Sequence, residues 1–346
     1  MTVYNKSGTA LKKIYNRGET LDLGFDKQGN IIYNIEDYSQ KTDPEPAIPK
    51  YSINKVQSYF HSRLTTVANI IKGLSSQWQS FVVITDVHMG KLQMNHSAEI
   101  AMYLLDNTPC DKIITLGDYC NMEWNKKQYQ QYMHKFIKAG FRSYVYPVFG
   151  NHETIGGKTV EAKTTLFKDF LSTKDVYGQP TSMFYFWDNT TTKTRFVVIN
   201  TSDDNSYRVG TTQLEWIKTA VNVPDSTWHV LVFGHVNLYD LGGVTYANMQ
   251  NPAEIITAIK TCTGNLVGYF CGHQHIDSTT NENSFRQTIF LNDRNETTNY
   301  YPGYSVIERP KGTLYEQAVS VVSVNTSTKR VEIRRIGAGR SNVYNY

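Results

Sequence analysis

The stretch Phe81-Val82-Val83-Ile84-Thr85-Asp86-Val87-His88-Met89-Gly90 sets a pattern: an apolar run that ends in a carboxylate and an imidazole. The arrangement recurs along the chain. Ile113 to Leu116 runs into Gly117-Asp118, and Tyr144 to Phe149 is followed by Gly150-Asn151-His152-Glu153. Val230 to Phe233 leads into Gly234-His235, and Val267 to Cys271 into Gly272-His273-Gln274-His275. Helical spacing appears between the early runs, near Ser97 to Asp106 and Lys126 to Ala139, and a further apolar run spans Arg195 to Ile199. Strands that alternate with helices indicate an α/β domain with a largely parallel sheet. The carboxyl ends of such strands converge on one crevice, so residues far apart in sequence are expected at a single site.

Imidazole nitrogen and carboxylate oxygen are ligands of borderline divalent metals such as zinc, manganese and iron. The candidates Asp86, His88, Asp118, Asn151, His235, His273 and His275 outnumber the ligands of one tetrahedral zinc. A pair of cations fits better, and a pair about 3.5–4 Å apart can clamp a phosphoryl group for in-line attack by water. Glycines precede Asp118, Asn151, His235 and His273, as tight turns after strands require. Taken singly, each residue has a plainer reading. Asp86 and Asp118 could cap helices after strands, and a lone histidine such as His61, His96, His134 or His229 is ordinarily a structural residue. Cys120 and Cys271 lie in or beside apolar runs, where reduced cysteine packs. The polar run Asn200-Thr201-Ser202-Asp203 reads as a loop.

The motifs Asp86-Val87-His88-Met89-Gly90, Gly117-Asp118, Gly150-Asn151-His152-Glu153, Gly234-His235 and Gly272-His273-Gln274-His275, in this order, resemble the motif series of calcineurin-like metallophosphoesterases. The resemblance spans Phe81 to His275. It implies a four-layer α/β/β/α sandwich of two mixed β-sheets flanked by helices, with manganese, iron or zinc at the strand ends. It also implies that Asp86, His88 and His275 hold the first metal, that Asn151, His235 and His273 hold the second, and that Asp118 bridges both. A bridging hydroxide would attack phosphorus. His152 would contact the phosphoryl oxygens and protonate the leaving alkoxide, Glu153 would orient His152, and Asn151 would touch both metal and phosphate. Two positions depart from the family pattern. Tyr119 follows Asp118 and is expected to shape substrate access. Val236-Asn237-Leu238 stands where many relatives carry His-x-Pro, so a less rigid turn is expected there.

Outside this block the chain is less specific. Its 346 residues, 40% hydrophobic and 13% aromatic, suffice for one large core plus a smaller appendage. A formal charge of +4 without a dominant Lys/Arg block does not argue for nucleic acid. Residues 1–40 repeat a short unit: Tyr4-Asn5 with Gly8, Tyr15-Asn16 with Gly18, Phe25-Asp26 with Gly29. They are expected to form a β-rich extension. Residues 41–50 carry Pro44, Pro46 and Pro49 and are expected to be an extended linker. Val56 to Leu74 has helical apolar spacing ending near Gly73, so residues 51–78 are expected to pack as an amphipathic helix on a main domain of residues 79–346. That domain closes on an expected β-hairpin, Ala318 to Val324 and Arg330 to Ile336, whose basic residues Lys329, Arg330, Arg334, Arg335 and Arg340 form either a solvated face or contacts to a phosphate polymer.

Met1 to Lys13 lacks the apolar core of a secretory signal, and no stretch is long enough to span a bilayer. Synthesis in the cytoplasm is expected, with a virion or extracellular destination left open. The expected partner is a phosphoester substrate: a small molecule, a nucleotide or a phosphate-containing polymer. The N-terminal repeats resemble short modules of tail-associated phage proteins. That implies an alternative: a phage or prophage structural or attachment protein whose phosphoesterase-like domain mainly binds.

Overall fold

In the computed structural model, strand β1 (Trp78–Ile84) carries the apolar run that opens the motif series, and all but its first residue are buried. The structure describes residues 50–90, 95–203, 207–239, 249–294 and 308–346. The expected N-terminal extension and nearly all of the Pro-rich linker lie outside these residues. β1 pairs in parallel with β2 (Ile113–Thr115), which pairs in parallel with β3 (Val145–Pro147). On its other edge β1 runs antiparallel to β11 (Ala318–Asn325), with Trp78 opposite Asn325 and Val83 opposite Ser320. β12 (Arg330–Gly337) and β13 (Asn342–Asn345) complete a six-stranded mixed sheet. The expected terminal hairpin is therefore extended by a third strand and supplies half of this sheet, because the Val-rich β11, buried throughout, needs a partner on each edge.

The second sheet has seven strands in the order β4 (Tyr177–Gln179), β5 (Phe184–Asn189), β6 (Thr194–Val198), β7 (His229–Phe233), β8 (Asn265–Cys271), β10 (Phe285–Ile289) and β9 (Ser278–Glu282). Side chains along a strand alternate between faces, and β7 shows the consequence. Leu231 and Phe233 join the core between the sheets, whereas Val230 and Val232 join the core under the outer helices. Phe81 of the first sheet meets Phe196 and Phe233 of the second edge to face, with centroids at 5.5 and 5.8 Å. Such aromatic pairs add about 0.5–1.5 kcal/mol each beyond burial.

Helices form the outer layers. α1 (His61–Lys72) buries Leu64, Val67, Ala68 and Ile71, an i, i+3, i+4, i+7 stripe, and Gly73 closes it. The Arg63 Nε donates to Arg335 O of β12 at 2.9 Å. α2 (Ser97–Asn107) and α3 (Lys126–Lys138) share this core, as does α4 (Thr159–Leu166). α5 (Thr211–Ala220) and α6 (Pro252–Ile259) cover the second sheet through Trp216, Ile217, Ile255 and Ile259. Two mixed sheets flanked by helices result. Among the described residues no helix is long and apolar enough to cross a membrane.

Candidate metal centre

The loops after β1, β2, β3, β7 and β8 carry the motif residues and meet at one edge of the two sheets. Each chain leaves its strand through a sharp turn. Asp86, His88, Asp118, His273 and His275 have φ of 50°, 44°, 55°, 68° and 54°, the left-handed region that non-glycine residues rarely occupy. Such conformations cost on the order of 1 kcal/mol each and persist where surrounding structure enforces them. Here they turn five ligand candidates inward. The loops also approach so closely that one position has no room for a side chain: a Cβ on Gly150 would lie 2.3 Å from both Asp118 N and Asp118 Oδ1.

Ligand atoms of Asp86, His88 and His275 lie within 4.8 Å of one another, as do those of Asp118, His235 and His273, and those of His88, Asp118 and His152. Asp118 Oδ2 stands between the first two groups, 3.6 Å from His88 Nε2 and 3.2 Å from His235 Nε2. Asp86 Oδ1 is 3.7 Å from His88 Nε2 and 3.5 Å from His275 Nε2. Asn151 Oδ1 lies 2.9 Å from His235 Nε2. All seven ligand candidates named from the sequence are thus brought together.

The arrangement fits a pair of cations. His88 Nδ1 faces Cys120 O at 3.2 Å and His235 Nδ1 faces Leu116 O at 2.6 Å. A carbonyl only accepts, so both Nδ1 atoms carry the hydrogen and Nε2 is presented to the centre, the orientation that ligating histidines commonly take. His88 Nε2 and His275 Nε2 face each other at 2.9 Å, which is stable only with a proton or cation to share. The electrostatics agree. Burial raises the pKa of Asp118, but the charges of His235 and His152 outweigh it and hold the carboxyl well below its usual range. Asp86 is held low in the same way, its burial outweighed by the adjacent imidazoles of His275 and His88. His235 is lowered by burial but pulled up to about 9 by Asp118, Asp86 and Leu116 O. Burial and the charge of His235 drop His273 to about 3.

His152 sits at the rim. Its ring lies 4.5 Å from that of His88, and its Nε2 is 3.7 Å from Asp118 Oδ2. Its backbone N–H donates to Asp118 Oδ1 at 2.9 Å. Burial lowers its pKa, against the pull of Asp118. The expected pairing with Glu153 is absent: the fully buried Glu153 carboxylate accepts from the N–H groups of Tyr119, Asp118 and Gly150 at 2.9, 2.9 and 3.0 Å. Both oxygens are turned to backbone, and His152 Nδ1 is buried without a hydrogen-bond partner among the described residues. Glu153 therefore ties the loop after β2 to the loop after β3.

Tyr119 does not shape access either. It is fully buried, and its hydroxyl donates to Val148 O at 2.8 Å, beneath the site. The turn after His235 is well held: Thr201 Oγ1 accepts from His235 N and Val236 N at 3.1 and 3.0 Å, and Gln287 Oε1 accepts from Leu238 N at 2.6 Å. Side-chain bonds replace the rigidity that a proline would provide. Cys120 and Cys271 are buried thiols whose pKa values burial raises, and they join none of the ligand groups. His61 and His134 lie elsewhere and bond Val56 O and Asp169. In the basic C-terminal strands Arg335 pairs with Asp277, and Arg330 and Arg334 with Glu332.

Two contributors carried little sequence signal. Thr201 was visible only as one residue of a polar run. Tyr207, in no motif, places its ring 5.8 Å from that of His273.

A family model described as calcineurin-like phosphoesterase matches residues 80–277. Among solved structures, a dimetal phosphatase from Danio rerio superposes with a TM-score of 0.51 at 13% identity, covering 78% of this chain and 99% of its own. GAP50, the anchor in the inner membrane complex of Plasmodium, superposes with a TM-score of 0.53 at 11% identity, covering 78% of this chain and 90% of its own. At such identities these two likenesses speak for the fold alone. No curated protein matches the chain. The family match covers more than half of the sequence and coincides with the ligand-bearing strand ends, and the chain belongs to the calcineurin-like phosphoesterase family.

Proposed function

We propose that this chain is a metal-dependent hydrolase of phosphoric esters. The observation that carries the reading is Asp118 Oδ2, which stands between the His88 and His235 nitrogens and joins two ligand sets into one site. Asp86, His88 and His275 would hold one cation, and Asn151, His235 and His273 the other, with Asp118 shared. Manganese, iron and zinc all suit this donor set. Bound there, two cations supply Lewis-acid activation of water and positive charge for the phosphoryl oxygens.

The protein's own groups do the rest. His152, one-fifth exposed at its side chain, is the residue at the rim that can reach both a phosphoryl oxygen and the leaving oxygen. Its lowered pKa leaves it mainly neutral in the free protein, and an incoming phosphate anion stabilises the protonated form. It then gives that proton to the departing alkoxide. Asn151, with Oδ1 set against His235, keeps its amide N–H groups for a phosphoryl oxygen. Glu153 holds the loops in register without touching the substrate.

The test adds Mn(II), Zn(II) or Fe(II) to the purified protein and assays p-nitrophenyl phosphate and bis-p-nitrophenyl phosphate beside Asp118→Ala. Metal-dependent turnover that the variant lacks is expected. No turnover of either compound, or equal rates for the variant, overturns the reading. The alternative of a phage or prophage attachment protein rests on residues 1–40, and no observation at the site favours it.

A further inference from the structure

The geometry points to Tyr207 as a substrate-contacting residue, whose phenol donates a hydrogen bond to a phosphoryl oxygen on the side of the centre opposite His152. This rests on the phosphoesterase reading and adds a residue that no motif contains. His152 flanks the ligand group of Asp86, His88 and His275 through its 4.5 Å ring contact with His88. Tyr207 flanks the other group, Asp118, His235 and His273, with its ring 5.8 Å from the His273 ring at 45°. A phosphoryl group held at the shared Asp118 would lie between the two.

Tyr207 is held in place. Its φ is 48°, an outlying conformation for a bulky residue that recurs at functional sites when its surroundings enforce it. The enforcement is visible: Gln250 N donates to Tyr207 O at 2.8 Å, and Asn251 brackets Val209, its Oδ1 accepting from Val209 N at 3.1 Å and its Nδ2 donating to Val209 O at 2.9 Å. Burial, then the charge of Asp118, raises the phenol pKa. A phenol that donates to an anion forms the stronger class of hydrogen bond.

The test is Tyr207→Phe, which keeps the ring and removes the hydroxyl. Mn(II)-loaded parent and variant are compared by calorimetric titration with inorganic phosphate, alongside metal content and steady-state kinetics. The expected result is about ten-fold weaker phosphate binding, unchanged metal content and an unchanged melting temperature. Phosphate affinity equal to the parent's would reduce Tyr207 to a packing residue and overturn the inference, and so would loss of a metal, which would make the phenol a ligand. A parent that binds phosphate but hydrolyses no ester refutes the enzyme reading while the phosphate titration still decides on Tyr207. A metal-loaded parent that binds no phosphate refutes both.

Discussion

Replacing Gly272 by alanine tests how the ligand loops are packed. A Cβ at this position would lie 2.0 Å from Thr85 Oγ1 and 2.3 Å from Asp86 Oδ2, where comfortable heavy-atom contact is about 3.5 Å. The Asp86 carboxylate would have to retreat by roughly 1 Å, yet Thr85 Oγ1 and His273 N hold that same oxygen at 2.6 and 2.9 Å. Metal ligands tolerate displacements of only about 0.2 Å. Gly272→Ala should therefore lose the cation of the Asp86, His88 and His275 group and retain the other, falling from about two metals per chain to about one. The overpacking should also lower stability by about 1–3 kcal/mol. Gly210→Ala is the control, since a Cβ there meets nothing within 4 Å. The assay is elemental analysis after Mn(II) loading and desalting, with thermal melting followed by circular dichroism. A Gly272→Ala protein that keeps both metals and the parental melting temperature would refute the reasoning.

Glu153→Gln sets an amide N–H against at least one of the three N–H groups that the carboxylate satisfies. A loss of about 1–3 kcal/mol is expected in a denaturant titration; parental stability would dismiss the clamp. In the metal-free protein His235 is raised from 6.5 to about 9, so its proton stabilises the fold fully below pH 6.5 and that contribution is lost as pH rises through about 9. A metal must displace the same proton, so cation affinity measured by competition with a chelator should climb up to about ten-fold per pH unit across that window, and a flat profile would contradict the assignment. Burial lowers His229 to about 4, and its Nδ1 bonds Tyr346 Oη at 2.7 Å. A depressed histidine contributes stability that is present above pH 6.5 and lost toward pH 4, so the parent should weaken with acid more steeply than His229→Gln; parallel denaturation curves would rule this out.

The ligand set was legible because it follows from local chemistry. An apolar run must be a buried strand, a glycine after it permits a tight turn, and an aspartate or histidine at that turn must stand at the strand end whatever the neighbouring strand is. Asp118, His235 and His273 obey this rule one at a time. Residues acting across loops escaped it. The family resemblance implied a partnership between Glu153 and His152, yet the three backbone donors nearest the Glu153 carboxylate belong to residues 118, 119 and 150. Tyr119 follows a ligand but is buried beneath it, its hydroxyl bonded to Val148 O.

The amino-acid sequence by itself determined the alternation of strands and helices, the ligand types and their place at the strand ends, because periodicity and turn chemistry act over a few residues. Only the tertiary structure decided that β11 closes on the far edge of β1, that Thr201 and Gln287 hold the turn after His235, and that Tyr207 comes to rest beside His273. Each depends on strand order and register, and hydrogen bonds between residues tens to hundreds of positions apart exist only once the two sheets have packed.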